Sequence, residues 1–431
     1  MRSRFINAKR YLTRLFVVGL GIKRWLLLLC LGAGISGMGV VYVVLVVRRA
    51  GLMPTTLYNI LTLQFLPVWG RILVPLVFGG SLLLFAASRF SLRIVAPYRQ
   101  PGDQLIDRLY EHSKRNRGPS IVAIGGGTGL STLLRGLTPF TNNITAIVTV
   151  ADDGGSSGRI RQELGMLPPG DIRSNMAALA RDEALMSKLL QYRFASRDSN
   201  DNNSLHGHSF GNLLLAALAG ITGSFDEGLL AAERVLALRG RVVPATLDMV
   251  RLSADVRSGV TGKLVRVVGE SAIPRATGHI ERLQLEPAGV RAFPPAIQAI
   301  LKADLIVLGP GSLYTSVLPN LLVSDLAAAL QRARATRVYV SNLVTQPGET
   351  DNYNVAHHVE ALKNHLPNGC IDVVLANNNF QQVTYLGRPV DYVRPARLQG
   401  ERLIMADLTD PDLPVRHDSE KLALALLKYI V

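Results

Sequence analysis

The sequence predicts an α/β protein built on a mostly parallel sheet, with a small β-rich insertion and an N-terminal transmembrane helical hairpin. After residue 118, short runs of β-branched residues alternate with amphipathic helical stretches, which is the pattern of βαβ units. Before residue 118, long apolar runs are bounded by basic residues. We therefore predict a membrane hairpin and basic linker at residues 1–117 and a ligand-binding domain at residues 118–431.

The N-terminal region contains two apolar stretches. Residues 25–47 are 23 consecutive uncharged residues, enough to cross a hydrocarbon layer of about 30 Å. A second stretch, residues 72–88, is shorter and contains Pro75. A cleaved signal peptide is the competing interpretation, but the first stretch is longer than the apolar part of such a peptide and a second stretch follows. We expect two spans that anchor the chain in a lipid bilayer.

The basic excess of the chain lies in the same region. Residues 1–117 contain 17 Lys and Arg and three acidic residues, whereas residues 118–431 contain 30 Lys and Arg and 29 Asp and Glu. Basic residues flank both apolar stretches, so the positive-inside rule predicts a multi-pass protein of the inner (plasma) membrane with a cytoplasmic main domain. The near-neutral charge of that domain argues against a nucleic-acid partner.

The first strand of the main domain is followed by a glycine cluster. The run "SIVAIGGGTGLSTLLRGL" is a buried strand, a glycine turn and an amphipathic helix. Glycines at such a turn let backbone N–H groups approach an anion at the helix N-terminus. The alternative is a tight turn without a ligand, because the dinucleotide fingerprint is only partly met and no Walker lysine follows. The candidate binding residues are Gly126, Gly127, Thr128 and Gly129.

The second strand, "NITAIVTV", leads into the loop "ADDGGSSGRIR". Adjacent carboxylates suit Mg²⁺ bound to phosphates, and the glycines, serines and arginines after them suit an anion. The alternative is a solvated turn with capping Asp residues. The candidate metal ligands are Asp152 and Asp153, and the further candidate binding residues are Gly154, Ser156, Ser157 and Arg159, with Arg161 beside them.

Two helix starts add candidate donors. In "LPPGDIRSN", Asp171 suits an N-cap, but capping does not account for the donors Arg173 and Asn175 in the next turns. In "HGHSFGN", His208 and Asn212 precede an apolar helix. His206 and His208 could share a zinc ion, but no third ligand lies at a suitable spacing, so we interpret both motifs as hydrogen-bonding surfaces for a ligand.

A later strand ends in a second glycine turn, "GPGSLYTSV". The turn leads into a hydroxyl-rich helix start, and a further strand ends at Asn342. Neither turn contains the G-x-S-x-G elbow of a serine hydrolase. Parallel sheets bind ligands beyond the carboxyl ends of their strands, where all these motifs lie. The candidate residues here are Gly309, Gly311, Ser312, Tyr314, Thr315 and Asn342.

The stretch at residues 240–287 interrupts the βαβ pattern. It contains short alternating segments such as "KLVRVVGE" and "IERLQLEP", which indicate antiparallel strands. We predict that it forms the small β-rich insertion.

Six motifs, in order, resemble the gluconeogenesis factor family (YvcK-type), within the 2-phospho-L-lactate transferase (CofD-like) superfamily. The resemblance covers roughly residues 120–425 and implies a Rossmann-like core that binds a nucleotide-linked ligand. In the YvcK-type branch it implies a UDP-sugar such as UDP-N-acetylglucosamine and a role in cell-wall (peptidoglycan) morphogenesis, cell shape and carbon metabolism. The motifs are "IGGGTGLSTLLRGL", "TVADDGGSSGRIR", "LPPGDIRSNMAAL", "HSFGNLLLAAL", "LGPGSLYTSVLPNLL" and "SNLVTQPGET".

Two functions stay open at this point. The DDGGSSGR form resembles the first branch and implies a membrane-tethered, UDP-sugar-binding regulator. The transferase branch implies Mg²⁺-dependent group transfer from a nucleotide donor. Tubulin-like GTPases share the glycine run, but theirs lies mid-domain and continues differently. The exact ligand, any catalysis, protein partners and a homo-oligomeric state are left open.

Overall fold

The structure is a computed structural model of the 431-residue chain, and it describes residues 22–95, 115–194, 205–367, 369–381, 384–385 and 388–428. The chain divides into two compact units, Met1–Lys114 and Arg115–Val431.

The first unit is helical. Its helices are α1 (Ile22–Arg49), α2 (Thr55–Leu61) and α3 (Val68–Val95).

Only one part of this unit, among the described residues, is long and apolar enough to cross a membrane: Leu31–Arg49, with a mean hydropathy of 1.8. Its side chains are largely exposed, as the lipid-facing surface of a span would be. In α3, which contains Pro75, the apolar part Val68–Leu83 falls short of that length. The predicted hairpin is therefore supported in its first helix, and the second span at residues 72–88 is not established.

The second unit is built on a seven-stranded parallel sheet in the order β12-β9-β8-β7-β1-β2-β3. Four of its strands are completely buried or nearly so, because they are short runs of Ile, Val, Leu and Ala covered on both faces. The α/β class with a parallel sheet is confirmed. The strands are β1 (Ile121–Gly125), β2 (Ile144–Val148), β3 (Arg241–Pro244), β7 (Leu305–Leu308), β8 (Thr336–Val340), β9 (Val373–Asn377) and β12 (Arg402–Ala406).

Helices connect these strands. From β1 the chain moves one way to β2, and from β7 it moves the other way to β8, so right-handed crossovers place their helices on opposite faces. The helices are α4 (Gly127–Leu137), α5 (Gly155–Leu164), α6 (Gly170–Leu179), α7 (Glu183–Gln191), α8 (Phe210–Thr222), α9 (Phe225–Val235), α10 (Pro294–Lys302), α11 (Leu318–Leu321), α12 (Ser324–Arg332), α13 (Val355–His365) and α14 (Ser419–Leu427).

The insertion is a separate three-stranded antiparallel sheet in the order β5-β4-β6. Its strands are β4 (Arg251–Ser258), β5 (Leu264–Val268) and β6 (Gly278–Glu286), and a two-stranded hairpin, β10 (Thr384–Tyr385) with β11 (Arg388–Pro389), lies elsewhere. The segment Arg241–Pro244, which the sequence places in the insertion, pairs with β2 in the main sheet. The antiparallel part therefore begins at Arg251 and not at residue 240.

Candidate functional site

The candidate site lies at the carboxyl edge of the main sheet. Strand β1 pairs with β2 on one side and β7 on the other, and the strand order reverses direction between β1 and β7. Such a reversal opens a crevice, because the loops after the two strands diverge to opposite faces. The two glycine turns of the sequence follow β1 and β7, so both open into this crevice.

The two glycine turns are packed against each other, backbone to backbone. A Cβ atom at Gly129 would lie 2.6 Å from the carbonyl oxygen of Pro310 and 3.1 Å from the Cα of Gly311. Gly127 and Gly309 have φ angles of +63° and +80°, which favour glycine. The glycines are thus required both for close approach and for conformation.

Three helices begin at this edge without a side-chain cap. Helices α4, α5 and α6 follow Gly126, Gly154 and Pro169, none of which supplies a capping hydrogen bond from its side chain. Five other helices, α7, α8, α9, α13 and α14, are capped by Asp, Ser or Asn side chains. The Gly127 N–H of α4 is bonded to the Asp171 carboxylate, and the other first-turn N–H groups of these helices are suited to bind an anion.

The carboxyl group of Asp171 lies beneath the first glycine turn. A Cβ atom at Gly126 would lie 2.3 Å from Asp171 Oδ2, so the backbone passes directly over the carboxylate. Burial, reinforced by the nearby charge of Asp152, raises the pKa of Asp171 to about 6. Asn175 is completely buried and donates from Nδ2 to the Asp171 carbonyl at 2.8 Å, which makes it a support for α6.

The two predicted metal ligands, Asp152 and Asp153, accept hydrogen bonds from different parts of the chain. Asp152 Oδ1 accepts from the Gly154 N–H at 2.9 Å, and burial raises the pKa of Asp152. Asp153 Oδ1 accepts from the Ser271 N–H of the insertion at 3.0 Å. A Cβ atom at Gly170 would lie 2.3 Å from Ser157 Oγ and 3.1 Å from Asp152 Oδ2, which places Ser157 beside Asp152.

The side chains around Asp152 and Asp153 offer few ligands for Mg²⁺. No group of three or more His, Cys, Asp or Glu side chains suited to a metal occurs among the described residues. Mg²⁺ commonly takes only one or two protein carboxylates, with phosphates and water completing its shell. Asp152 fits that use better than Asp153, whose Oδ1 holds the insertion. The Mg²⁺ site stays a prediction.

Ser156, His208 and Asn212 form a buried hydrogen-bonded group. Ser156 Oγ and His208 Nδ1 are hydrogen-bonded at 3.1 Å, and Asn212 Nδ2 donates to Ser156 Oγ at 3.0 Å. Burial lowers the pKa of His208 and so favours its neutral imidazole. The group joins the acidic loop to the start of α8.

The arginines are largely engaged by the protein. Arg159 donates to the His206 carbonyl at 2.7 Å, and Arg173 donates to Ser209 Oγ at 2.6 Å. Arg161 donates to the carbonyl of Val250, the residue directly before β4 of the insertion. It also lines a cavity of about 440 Å³, separate from the glycine turns, together with Gln162, Met249, Arg251, Glu286 and Pro287.

Several polar groups of the turn after β7 are hydrogen-bonded within the protein. Gly311 N–H donates to Asn342 Oδ1 at 3.4 Å, and Ser312 Oγ accepts from Gln346 Nε2 at 2.7 Å. Tyr314 is 2% exposed, and its hydroxyl pairs with that of Tyr353 at 2.9 Å. The side chain of Tyr314 therefore packs in the core, and its contact with a ligand stays a prediction.

The structure also places two glutamates here that the sequence reasoning missed. Glu349 Oε1 accepts from Thr315 Oγ1 at 3.1 Å, and burial raises the pKa of Glu349. Burial and the charges of Asp152, Asp153, Asp171 and Glu349 raise the pKa of Glu270 to about 8. Glu349 could have been found from the motif "SNLVTQPGET", but no pattern pointed to Glu270 within the insertion.

Three buried polar atoms in these loops have no hydrogen-bond partner among the described residues. They are Arg173 Nε, Asn212 Oδ1 and Glu349 Oε2. Buried polar groups in proteins are nearly always paired, so unpaired ones at a single edge suggest a ligand. Of the predicted residues, the structure brings the glycine turns, the acidic loop, Asp171, His208 and Asn342 to this edge.

The chain matches a family of known proteins. Residues 121–408 match the family described as 2-phospho-L-lactate transferase CofD. The gluconeogenesis factor of Bacillus subtilis is 45% identical over 319 residues, which is 72% of this chain and 97% of that protein. The chain belongs to the gluconeogenesis factor family, within the CofD-like superfamily.

Two further members of the family show how much of the chain is shared. A Nostoc sp. protein whose name includes gluconeogenesis factor is 46% identical over 95% of this chain and 91% of its own length. That match includes most of the N-terminal unit. A crystal structure from Bacillus halodurans, described as a member of the UPF0052 family, is 42% identical with a TM-score of 0.65. It covers 71% of this chain and 99% of its own.

Asp171→Asn is expected to stabilise this member of the gluconeogenesis factor family. The pKa of Asp171 is raised from 3.8 to about 6, so its ionisation destabilises the folded state progressively as the pH rises from about 4 to 6. We expect a gain on the order of 2 kcal/mol at pH 7.5 and little gain at pH 4 in urea unfolding.

The matched control for this experiment is Asp412→Asn, an exposed position that should change stability little at either pH. A loss of stability for Asp171→Asn at pH 7.5 would mean that Arg173 and the Gly127 N–H stabilise the carboxylate more than burial penalises it.

Proposed function

We propose that the Arg115–Val431 unit binds a nucleotide-linked sugar of the UDP-N-acetylglucosamine type between its two glycine turns. The observation that carries the proposal is the contact of Gly129 with Pro310 and Gly311, which joins two anion-binding turns into one surface. A diphosphate would lie along the first turns of α4, α5 and α6, whose N-cap residues supply no side-chain hydrogen bond. The unpaired Arg173 Nε and Asn212 Oδ1 would add donor and acceptor.

In this proposal the protein acts as a regulator of carbon metabolism and cell-wall morphogenesis. The name of the B. subtilis relative, gluconeogenesis factor, supports the first of these roles. Within the described edge of the sheet, Ser156 and His208 are the one nucleophile–base pair; both are buried, and Ser156 Oγ also accepts from Asn212. This arrangement favours binding over catalysis.

Group transfer is the second candidate function. The family description names a transferase, and the neighbouring carboxyl groups of Asp152 and Asp171 offer a place for Mg²⁺ beside a phosphate. A bound Mg²⁺ would neutralise phosphate charge there. Asp153 would then contribute by holding the insertion in place through Ser271.

The binding site is tested with Gly129→Ala. The new Cβ atom would meet the Pro310 carbonyl at 2.6 Å and force the two turns apart. We expect at least about tenfold weaker binding of UDP-N-acetylglucosamine in calorimetric titration of the full-length protein in detergent. Gly220→Ala is the matched control, because nothing lies within 4 Å of its Cβ position in α8.

Chelation of divalent metals separates the two candidate functions. A binder should keep its affinity for UDP-N-acetylglucosamine in EDTA and should form no product from it. Absence of wild-type binding at millimolar ligand would refute the proposed ligand, and metal-dependent release of a nucleotide product would establish group transfer instead.

We further propose that α1 and α3 form a membrane hairpin with both ends in the cytoplasm. The apolar stretch Leu31–Arg49 supports the first span, and seven basic residues precede the apolar run at residues 25–47. Reporter fusions after residue 60 and at the C-terminus should report opposite sides of the membrane. Reporters on the same side would leave a single anchoring helix and exclude the hairpin.

A further inference from the structure

Glu349 carries an unexplained buried acceptor. Its side chain is 8% exposed, and its carboxylate accepts from Thr315 Oγ1 at 3.1 Å and from the backbone N–H groups of Tyr314 and Thr315. Its Oε2 atom has no hydrogen-bond partner among the described residues. A buried carboxyl oxygen without a donor is costly, because it has lost its water and gained nothing in return. A donor supplied by a ligand would remove this cost.

Glu270 is brought to the same place by the insertion. The turn that carries it is held on one side by Asp153, whose Oδ1 accepts from the Ser271 N–H at 3.0 Å. On the other side, the Gly348 backbone packs so closely that a Cβ atom there would lie 1.8 Å from the Pro274 carbonyl oxygen. The insertion thus bridges the loop after β2 and the loop after β8.

The position of the insertion brings Glu270 near other carboxyl groups. Electrostatic repulsion acts on it from Asp152, Asp153, Asp171 and Glu349. Among the described residues, no hydrogen bond involves the carboxyl group of Glu270. Two acids from different elements, one half-buried and one buried, therefore offer acceptor oxygens without partners.

The acceptor end of the crevice is chemically unlike its glycine turns. The glycine turns offer N–H donors, which suit phosphate, whereas carboxyl oxygens repel phosphate and accept from hydroxyl groups. A nucleotide sugar has both kinds of group: a diphosphate in its middle and vicinal hydroxyls on its ribose and its sugar.

We propose that Glu270 and Glu349 bind hydroxyl groups of the ligand and so orient it, with its phosphates on the glycine turns. This inference rests on the proposed function and adds to it the residues that recognise the hydroxyl-bearing part of the ligand. It also assigns the insertion a role: through Asp153 and Gly348 it delivers one of the two acids.

The test is calorimetric titration of the full-length protein with UDP-N-acetylglucosamine and with UDP, both in EDTA. We expect Glu270→Ala and Glu349→Gln each to weaken binding of UDP-N-acetylglucosamine about tenfold, the size of one lost hydrogen bond to a charged group. Glu281→Ala is the control, because Glu281 lies on the same insertion in an exposed ion pair with Arg257. Glu281→Ala should bind like the wild type.

Glu270→Ala keeps the test decisive if Glu349→Gln is unstable, because Glu270 makes no hydrogen bond within the described residues and its loss should leave folding intact. A loss confined to UDP-N-acetylglucosamine identifies the sugar hydroxyls, and an equal loss with UDP identifies those of the ribose.

Three results overturn the inference. Tighter binding of both ligands by Glu270→Ala would mean that the acid only repels phosphate. A loss that appears only with added Mg²⁺ would mean that the carboxyl groups hold a cation. Wild-type protein that binds neither ligand would refute the proposed function, whereas variants that bind like the wild type would refute this inference alone.

Discussion

The close approach of two peptide backbones at the boundary of β1 and β7 is the constraint on which the site depends. Gly129 meets the Pro310 carbonyl at a distance that leaves no room for a side chain. Because these turns follow adjacent parallel strands whose connections leave to opposite faces of the sheet, their contact places the start of α4 beside the turn after β7. Any side chain here would separate the donors that must face a single ligand.

Hydrogen bonds hold the surrounding loops in position around this contact. Asp171 lies under the first turn, where burial raises its pKa. Asn175 donates to the backbone carbonyl of Asp171 and so holds it in place. The Ser156–His208 pair joins the acidic loop to α8, and Asp153 joins that loop to the insertion. Several polar groups in the motifs thus hold the loops in position, which leaves fewer of them for ligand contact.

The sequence was sufficient for the fold class, the glycine turns and the family, because each depends on local pattern and short motifs. It was insufficient where distant segments meet. Strand β3 has only four residues, too few for a pattern, so Arg241–Pro244 was assigned to the insertion. The sequence pattern does not show that Tyr314 packs in the core, and Glu270 reaches the site only through the packing of the insertion.

Hydrogen–deuterium exchange of the full-length protein, with and without saturating UDP-N-acetylglucosamine, tests the central claim most directly. The account predicts slower exchange at residues 126–131, 154–159 and 309–317 together, because one ligand would contact N–H groups of all three segments. Protection confined to the cavity beside Arg161 and Arg251, or to only one of the two glycine turns, would contradict a site built on their contact.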